Sequence, residues 1–375
     1  MIKRDICIIC SSSLNNIYIL ENVPIKLACI KNPEKNMHHL SFVQCNSCKT
    51  IQLDELIPLE ILYSESHNYT SVGKLWYHYF EMISNKISSV SARKNILEIG
   101  CPSGKIANTI NNYNKWFIVE PNKNKKIQFH ENIFFIEKYF DETFTITEKI
   151  DIIVHSHLFE HIYDPNDFLK KCYDILKEDG EMIFGVPNMD IFTEKEICPF
   201  LGIFFEHTIF LNKATISYLL CKNNFEIIEI TNYKEHSTIY YCKKKITTKI
   251  SKIENEVFHG IDYYTNFMDY VNKYQTFIDS CNIIIKDADK PVYIYGASYN
   301  TQYLISLGLD LQKIKGILDA GKEKQDKYFY GYDLLVYSPE ILYNTDCIVI
   351  LKMGYYTNEI LETILAINPN IMILK

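Results

Sequence analysis

Residues 95–107 read NILEIGCPSGKIA. Ile96, Leu97 and Ile99 form a short apolar run that ends in Gly100, a second glycine follows at Gly104, and 105–110 reads as the opening of a helix. A buried strand entering a glycine-bearing turn and then a helix is how open α/β sheets bind nucleotide-like ligands at their carboxyl edge. Glycine allows the sharp turn and the close approach of a ligand to the backbone. The spacing is E-x-G-x-x-x-G, however, and not G-x-G-x-x-G. With the third glycine missing and Glu98 inside the strand end, an adenosyl group bearing an amino acid suits the turn better than a pyrophosphate. The turn is therefore read as a site for S-adenosylmethionine, with Glu98, Gly100 and Gly104 as contacts. Taken alone it fits an ordinary strand-to-helix connection as well.

Downstream the periodicity alternates between short apolar strands and helices: strands are expected at 96–100, 116–120, 133–136, 150–155, 181–186 and 225–231. That succession implies a mainly parallel sheet covered by helices. Glu120 ends the second expected strand sixteen residues after Gly104, near the ~20 at which a ribose-binding acid follows such a turn. The run beginning at Asp151 leads into LFEHIYDP, where Asp164 and Pro165 suit a helix cap and a first helical position. Leu169, Cys172, Tyr173 and Leu176 give that helix its buried face, and Gly180 is expected to stop it. His155, His157, Glu160 and His161 then fall at the sheet's ligand edge. Cofactor contact (His155) and substrate contact are preferred over a metal site, because two side chains come from a strand end and two from the next turn. Packing alone also accounts for His157.

Glu206 and His207 stand between aromatics, and a desolvated carboxylate beside an imidazole can hold a proton-accepting group poised near neutral pH. A capping glutamate with a packed histidine is the plain alternative, ahead of a helix at 212–221. Residues 232–255 read as a linker rich in Tyr, Lys and Glu, followed by a helix through 283. At 291–300, PVYIYGASYN repeats the pattern of strand, glycine turn and helix; helix 301–307 and strands 314–318 and 347–351 follow. This is a second, smaller doubly wound unit.

Upstream, Cys7-x-x-Cys10 and Cys45-x-x-Cys48 are the strongest local signal. Two tight knuckles place four thiolates around one tetrahedral Zn2+ with no open position, which makes the metal structural. Residues 54–90 read as helical, with the stripe Trp76, Tyr79, Phe80 and Ile83 interrupted upstream by a polar stretch at 63–70. The chain has 375 residues, a net charge of −7, 47% hydrophobic and 23% charged residues, and 12 cysteines. This bounds two or three globular domains. The charge provides no footprint for nucleic acid, and no apolar run approaches the ~20 residues of a membrane span. A cytoplasmic location and a monomer or weak homodimer are expected.

Together these residues resemble the three-domain, S-adenosylmethionine-dependent sugar C-methyltransferases that act on nucleotide-linked keto-deoxysugars. Cys7, Cys10, Cys45 and Cys48 look like the family's zinc domain, ILEIGCPSG (96–104) like its S-adenosylmethionine motif, and Glu120 like its ribose-binding acid. HSHLFEHIYDP (155–165) is similar to its loop after the fourth strand, with His161 at a functional histidine. Glu206-His207 matches the pair of its Y-x-E-H segment. YGASYNTQYLI (295–305), ILDAGKEKQDKYFYG (317–331) and LKMGYYTNEIL (351–361) resemble its C-terminal domain. Phe204 stands where the family has tyrosine, and Asn300 where it has lysine; Tyr63 or Tyr69 corresponds to an active-site tyrosine of the family.

The fold class implied is α/β: a class I (Rossmann-like) methyltransferase domain (76–250), preceded by a small zinc-binding domain (1–75) and followed by a second, smaller Rossmann-like α/β domain (251–375). The resemblance implies C-methylation of a nucleotide sugar, with His207/Glu206 removing a proton α to a ketone and His161 stabilising the enolate or shuttling protons. O-methylation of a sugar hydroxyl by the same pair remains open, as does a non-catalytic protein that binds S-adenosylmethionine or a sugar nucleotide.

Overall fold

A computed structural model describes residues 1–62, 74–122, 128–191, 202–245 and 263–375. Tyr63 and Tyr69 lie outside the described residues. The central sheet is formed by β1 (Asn95–Ile99), β2 (Lys115–Val119), β3 (Ile133–Ile136), β4 (Ile150–Ser156), β5 (Leu176–Pro187), β6 (Phe225–Tyr233) and β7 (Ser237–Lys244). Its order is β6-β7-β5-β4-β1-β2-β3. Ladders β1–β2, β2–β3, β1–β4 and β4–β5 are parallel, while β7 runs antiparallel to both β5 and β6. The strand order reverses between β1 and β4, so a crevice opens beyond their carboxyl ends.

The period-two alternation of the strands divides the core. Ile96, Trp116, Ile118, Ile152 and Val154 face Tyr79, Ile83 and Ile87 of α1 (Lys74–Ser88). Leu97, Ile99, Phe117 and Ile153 face Phe168, Leu169 and Cys172 of α2 (Pro165–Ile175), and Ile216 and Leu219 of α3 (Lys213–Lys222). As expected, Asp164 caps α2, accepting from the N–H groups of Asn166 and Asp167 at 3.0 Å each, with Pro165 in the first turn.

Four local expectations change. The helix after Gly104 shrinks to a single 3-10 turn, Ala107–Thr109. Helix α2 ends at Ile175 and not at Gly180, because Leu176 is already paired with Ile150 as strand; Glu181 then pairs with Ile152, so 177–180 form a bulge within β5. The expected linker contains β7, whose Thr238–Cys242 are all buried. A lysine- and tyrosine-rich composition concealed a central strand. Only part of 54–90 is helical: Glu55–Leu56 is strand, Leu59–Leu62 a single turn, and the long helix begins at Lys74.

Helix α4 (Tyr263–Asp287) leads into the second unit: β8 (Val292–Tyr295), α5 (Tyr299–Ser306), β9 (Ile314–Leu318), β10 (Val336–Tyr337), β11 (Ile348–Ile350), α6 (Thr357–Ile367) and β12 (Met372–Leu374). Its five strands are all parallel, in the order β10-β9-β8-β11-β12. The N-terminal unit is an antiparallel sheet of Leu14–Pro24, Met37–Cys45 and Ile51–Leu53. It is not freestanding. Leu20, Phe42 and Leu53 share one apolar core with Phe204, Phe205, Phe267, Tyr303 and Tyr330, and Cys29–Ile30 pairs antiparallel with Tyr328–Phe329. No described helix is long and apolar enough to cross a membrane.

Candidate active site

The glycine turn has the backbone its sequence requires. Gly100 and Gly104 have φ of +76° and +54°, and a Cβ at either would meet Leu158 Cδ1 at 2.8 Å or Phe129 Cε1 at 2.4 Å. A side chain at Gly104 therefore faces both a strained backbone and a filled space. Glu98 lies beneath the turn and is 1% exposed. Its Oε2 accepts from Trp116 Nε1 at 2.8 Å, and burial pushes the carboxyl up to about 7. Glu120 closes β2 at the same edge, buried, its Oε1 accepting from Asn122 N–H at 2.9 Å; burial raises its pKa.

The histidines after β4 separate into two groups. His155 is 0% exposed, stacked on Phe184 at 4.6 Å and flanked by Phe159 and Phe168, and neither ring nitrogen has a hydrogen-bond partner among the described residues. Burial lowers its pKa to about 3. Its side chain projects into the α2 face of the sheet, so the expected cofactor contact is replaced by apolar packing. His157, at φ +49°, is bound into an aromatic cluster on the α1 side. Its Nε2 lies 2.9 Å from Ser237 Oγ, its Nδ1 3.3 Å from Glu160 Oε1, and its ring 4.7 Å from Trp76. His236 joins the same serine at 2.7 Å, and burial lowers its pKa to about 4. Neither Trp76 nor His236 was legible as its neighbour, since the contact joins α1 to the β6–β7 turn.

His161 belongs with Glu206 and His207. Its Nε2 is 3.3 Å from His207 Nε2, and its Nδ1 is 3.8 Å from Glu206 Oε2. The two residues adjacent in sequence are thus joined through His161. The nitrogen–nitrogen contact needs one ring to donate and the other to accept, so the rings hold one proton between them. Burial first, and then the neighbouring His161 and His157, push His207 well below the usual imidazole range, keeping it neutral. Glu160 contributes a third candidate ligand atom within 4.8 Å of those of His161 and His207, so the group also has metal-ligating spacing.

Both flanking units hold this loop. Leu53 N–H donates to Thr208 O at 2.9 Å and Phe210 N–H to Ile51 O at 2.9 Å, making 208–210 an added edge of the N-terminal sheet. Arg4, 8% exposed, donates Nη1 to Leu53 O and Thr208 O and Nη2 to Tyr163 O and Thr208 Oγ1. From the other side, Tyr299 stacks on Phe204 with ring centroids 3.7 Å apart, and its hydroxyl donates to Glu206 Oε1 at 2.5 Å. Tyr303 OH donates to Ile203 O at 2.7 Å. Arg4 and Tyr299 carry no motif; their roles arise only from long-range packing.

Cys7, Cys10, Cys45 and Cys48 have sulfurs all within 4.8 Å of one another, the nearest pairs at 3.5 and 3.6 Å, and all four are free thiols. Sulfurs around Zn2+ at about 2.3 Å would be about 3.8 Å apart. The four residues therefore fit a closed thiolate centre. The cysteine cluster is tied to the central domain by Asn166 Nδ2, which donates to Ile8 O at 2.8 Å, and by Lys222 Nζ, which donates to Ile9 O at 3.0 Å; within the N-terminal unit Gln52 Nε2 donates to Cys7 Sγ at 3.2 Å.

A parallel sheet with one antiparallel insert, a glycine turn on its first strand and an acid closing the second define the architecture of a class I methyltransferase. Residues 75–230 match the family described as "Methyltransferase domain", and residues 228–368 match "C-methyltransferase C-terminal domain". These two similarities, to a methyltransferase domain and to a C-methyltransferase C-terminal domain, follow one another along the chain. A probable S-adenosylmethionine-dependent methyltransferase of Mycolicibacterium smegmatis is 30% identical over 79 residues, which are 21% of this chain and 30% of that relative. The match thus spans less than a third of the relative's length. Among solved structures, the N-methyltransferase NodS of Bradyrhizobium japonicum is 12% identical, with a TM-score of 0.37, over 47% of this chain and 99% of that one. The magnesium protoporphyrin IX methyltransferase of Synechocystis, solved with bound SAH, is 11% identical, with a TM-score of 0.38, over 48% and 91%.

Proposed function

We propose that the protein transfers a methyl group from S-adenosylmethionine to a carbon α to the ketone of a nucleotide-linked deoxysugar, working as three units, 1–75, 76–250 and 251–375. The observation that carries this reading is the approach of His161 Nε2 to His207 Nε2 at 3.3 Å, with Glu206 on the far side of His161. A relay of one carboxylate and two imidazoles suits proton removal and is more than ligand binding alone calls for. The similarity of 228–368 to a C-methyltransferase domain supports carbon as the acceptor.

Gly100, Gly104 and Glu120 would hold the donor, the acid through the ribose hydroxyls. When bound, S-adenosylmethionine supplies a methyl on a sulfonium, an electrophile that needs no further activation. The chain's own task is to orient the acceptor and remove its proton. Neutral His207, with Glu206, accepts the α proton by way of His161. Glu206 would then stabilise the imidazolium charge at His161, and the electron pair released on carbon would form the new C–C bond as the methyl–sulfur bond breaks and its pair stays with the departing sulfur. Cys7, Cys10, Cys45 and Cys48 would hold a structural Zn2+ that fixes the unit from which Arg4 and Leu53 reach the catalytic loop.

The test is His207→Ala. It is expected to abolish methyl transfer to nucleotide-linked keto-deoxysugars while calorimetric binding of S-adenosylmethionine changes less than twofold. Turnover at the wild-type rate removes the relay from the mechanism. Mass spectrometry of the product locates the new methyl; a methyl on oxygen overturns the carbon acceptor.

A further inference from the structure

We infer that Tyr299, delivered by the C-terminal domain, is a positioning residue of the candidate catalytic relay. The inference rests on the proposed role of Glu206, His161 and His207 and extends it to a second domain. Tyr299 is the first residue of α5, immediately beyond the turn at Gly296, whose φ is +99°. Its ring lies on Phe204 at 3.7 Å, two residues before Glu206. Its hydroxyl donates to Oε1 of Glu206 at 2.5 Å, while Oε2 of the same carboxylate lies 3.8 Å from His161 Nδ1. The two oxygens are thus divided between a phenol and an imidazole. A carboxylate bonded on one side only can rotate about its last torsion; here the phenol fixes the plane and leaves one oxygen for His161.

The phenol acts on charge as well as on geometry. A short hydrogen bond to Oε1 draws negative charge away from Oε2, so the carboxylate holds an imidazolium at His161 less tightly. Among the described residues, the titratable groups around Glu206 include His161 and His207 in the relay, Glu160 beside those two, Tyr163 from the β4–α2 connection and Tyr299 itself. Of these, Tyr299 alone comes from the C-terminal unit. Helix α5 is held in place independently of either phenol by Gln302 Nε2, which donates to Lys26 O at 2.8 Å. Seating of the C-terminal domain therefore decides whether Glu206 has its phenol, and with it the basicity of the relay.

The experiment compares Tyr299→Phe, which keeps the ring on Phe204, with Tyr303→Phe, which removes a hydroxyl of the same helix that donates to backbone of the same loop. Ring-labelled histidines of the full-length protein are titrated by NMR without any acceptor. The resonances are assigned with His161→Asn and His207→Asn. In Tyr299→Phe the midpoint of the His161–His207 pair is expected to rise by at least half a pH unit, while Tyr303→Phe leaves it unchanged. In methyl transfer to a nucleotide-linked keto-deoxyhexose, Tyr299→Phe should lower kcat about tenfold, leave KM within twofold and move the acid limb of the profile to higher pH. If both variants titrate like the wild type, or shift equally, the inference is overturned. Failure of the proposed reaction would appear separately, as full turnover in His207→Ala, with the histidine titrations still readable.

Discussion

Arg4 and Thr208 are 204 positions apart in the chain, yet two guanidinium nitrogens of one meet the carbonyl and the hydroxyl of the other, each at 3.1 Å. Thr208 follows His207 directly, so the N-terminal unit grips the candidate catalytic loop one residue from the proposed base. Replacing Arg4 by methionine keeps apolar bulk but removes the donors to the carbonyls of Leu53 and Tyr163 and to the hydroxyl of Thr208, leaving the Thr208 carbonyl with the Leu53 N–H. The expected loss is about 2–4 kcal/mol in urea unfolding, with methyl transfer falling further than donor binding. A loss below about 0.5 kcal/mol means the guanidinium is not what joins the two units.

Metal removal acts on the same loop by another route. Gln52 touches Cys7 through its side chain and pairs with Ile209 across the sheet junction, so the cysteine cluster and the candidate catalytic loop share one residue. Wild-type protein should contain one zinc per chain by elemental analysis. Cys45→Ser should reduce that to near zero, lower Tm by at least about 5 °C, and expose 202–211 to protease. Full stability without metal would leave the cysteines as ordinary core.

Stability should fall on the acid side of neutrality, and His155 supplies a readable part of the slope. Its pKa is about 6.5 when unfolded and is lowered to about 3 by burial. Below pH 6.5 the unfolded chain therefore binds a proton that the native protein does not. Stability is fully present above 6.5 and is lost as pH falls toward 3, approaching about 1.4 kcal/mol per pH unit. His236, lowered to about 4, contributes in the same direction. In urea unfolding, His155→Leu should remove about 2 kcal/mol of the loss between pH 7 and pH 5. Parallel curves for the two proteins would show that His155 is not buried neutral.

The sequence was most informative where one chain segment carries its own instructions. The glycines at 100 and 104, the Asp164–Pro165 helix start and the paired cysteine knuckles are local, and each has the geometry its spacing implies. Strand β7 was missed because burial on both faces erases alternation, and its lysines and tyrosines mimic a linker. His155 was read toward the cleft because a strand's end says little about which face its last side chains take; a one-residue shift in that register exchanges cleft for core. Arg4 and Tyr299 had no local signal at all. Each reaches the loop from a different unit, and only the packing of all three brings them to Glu206–His207.

The pairing of Cys29–Ile30 with Tyr328–Phe329 has a consequence for how the chain is made. The paired residues, Ile30 with Tyr328 and Cys29 with Phe329, are 298 and 300 positions apart. At about 5–20 residues per second of synthesis, the first segment waits about 15–60 s for its partner strand to leave the ribosome. Until then the core under the N-terminal sheet lacks the part that Phe329 and Tyr330 supply. Residues near 30 are completed by residues near 330, and nascent chains halted before residue 328 should draw chaperones that the finished protein does not.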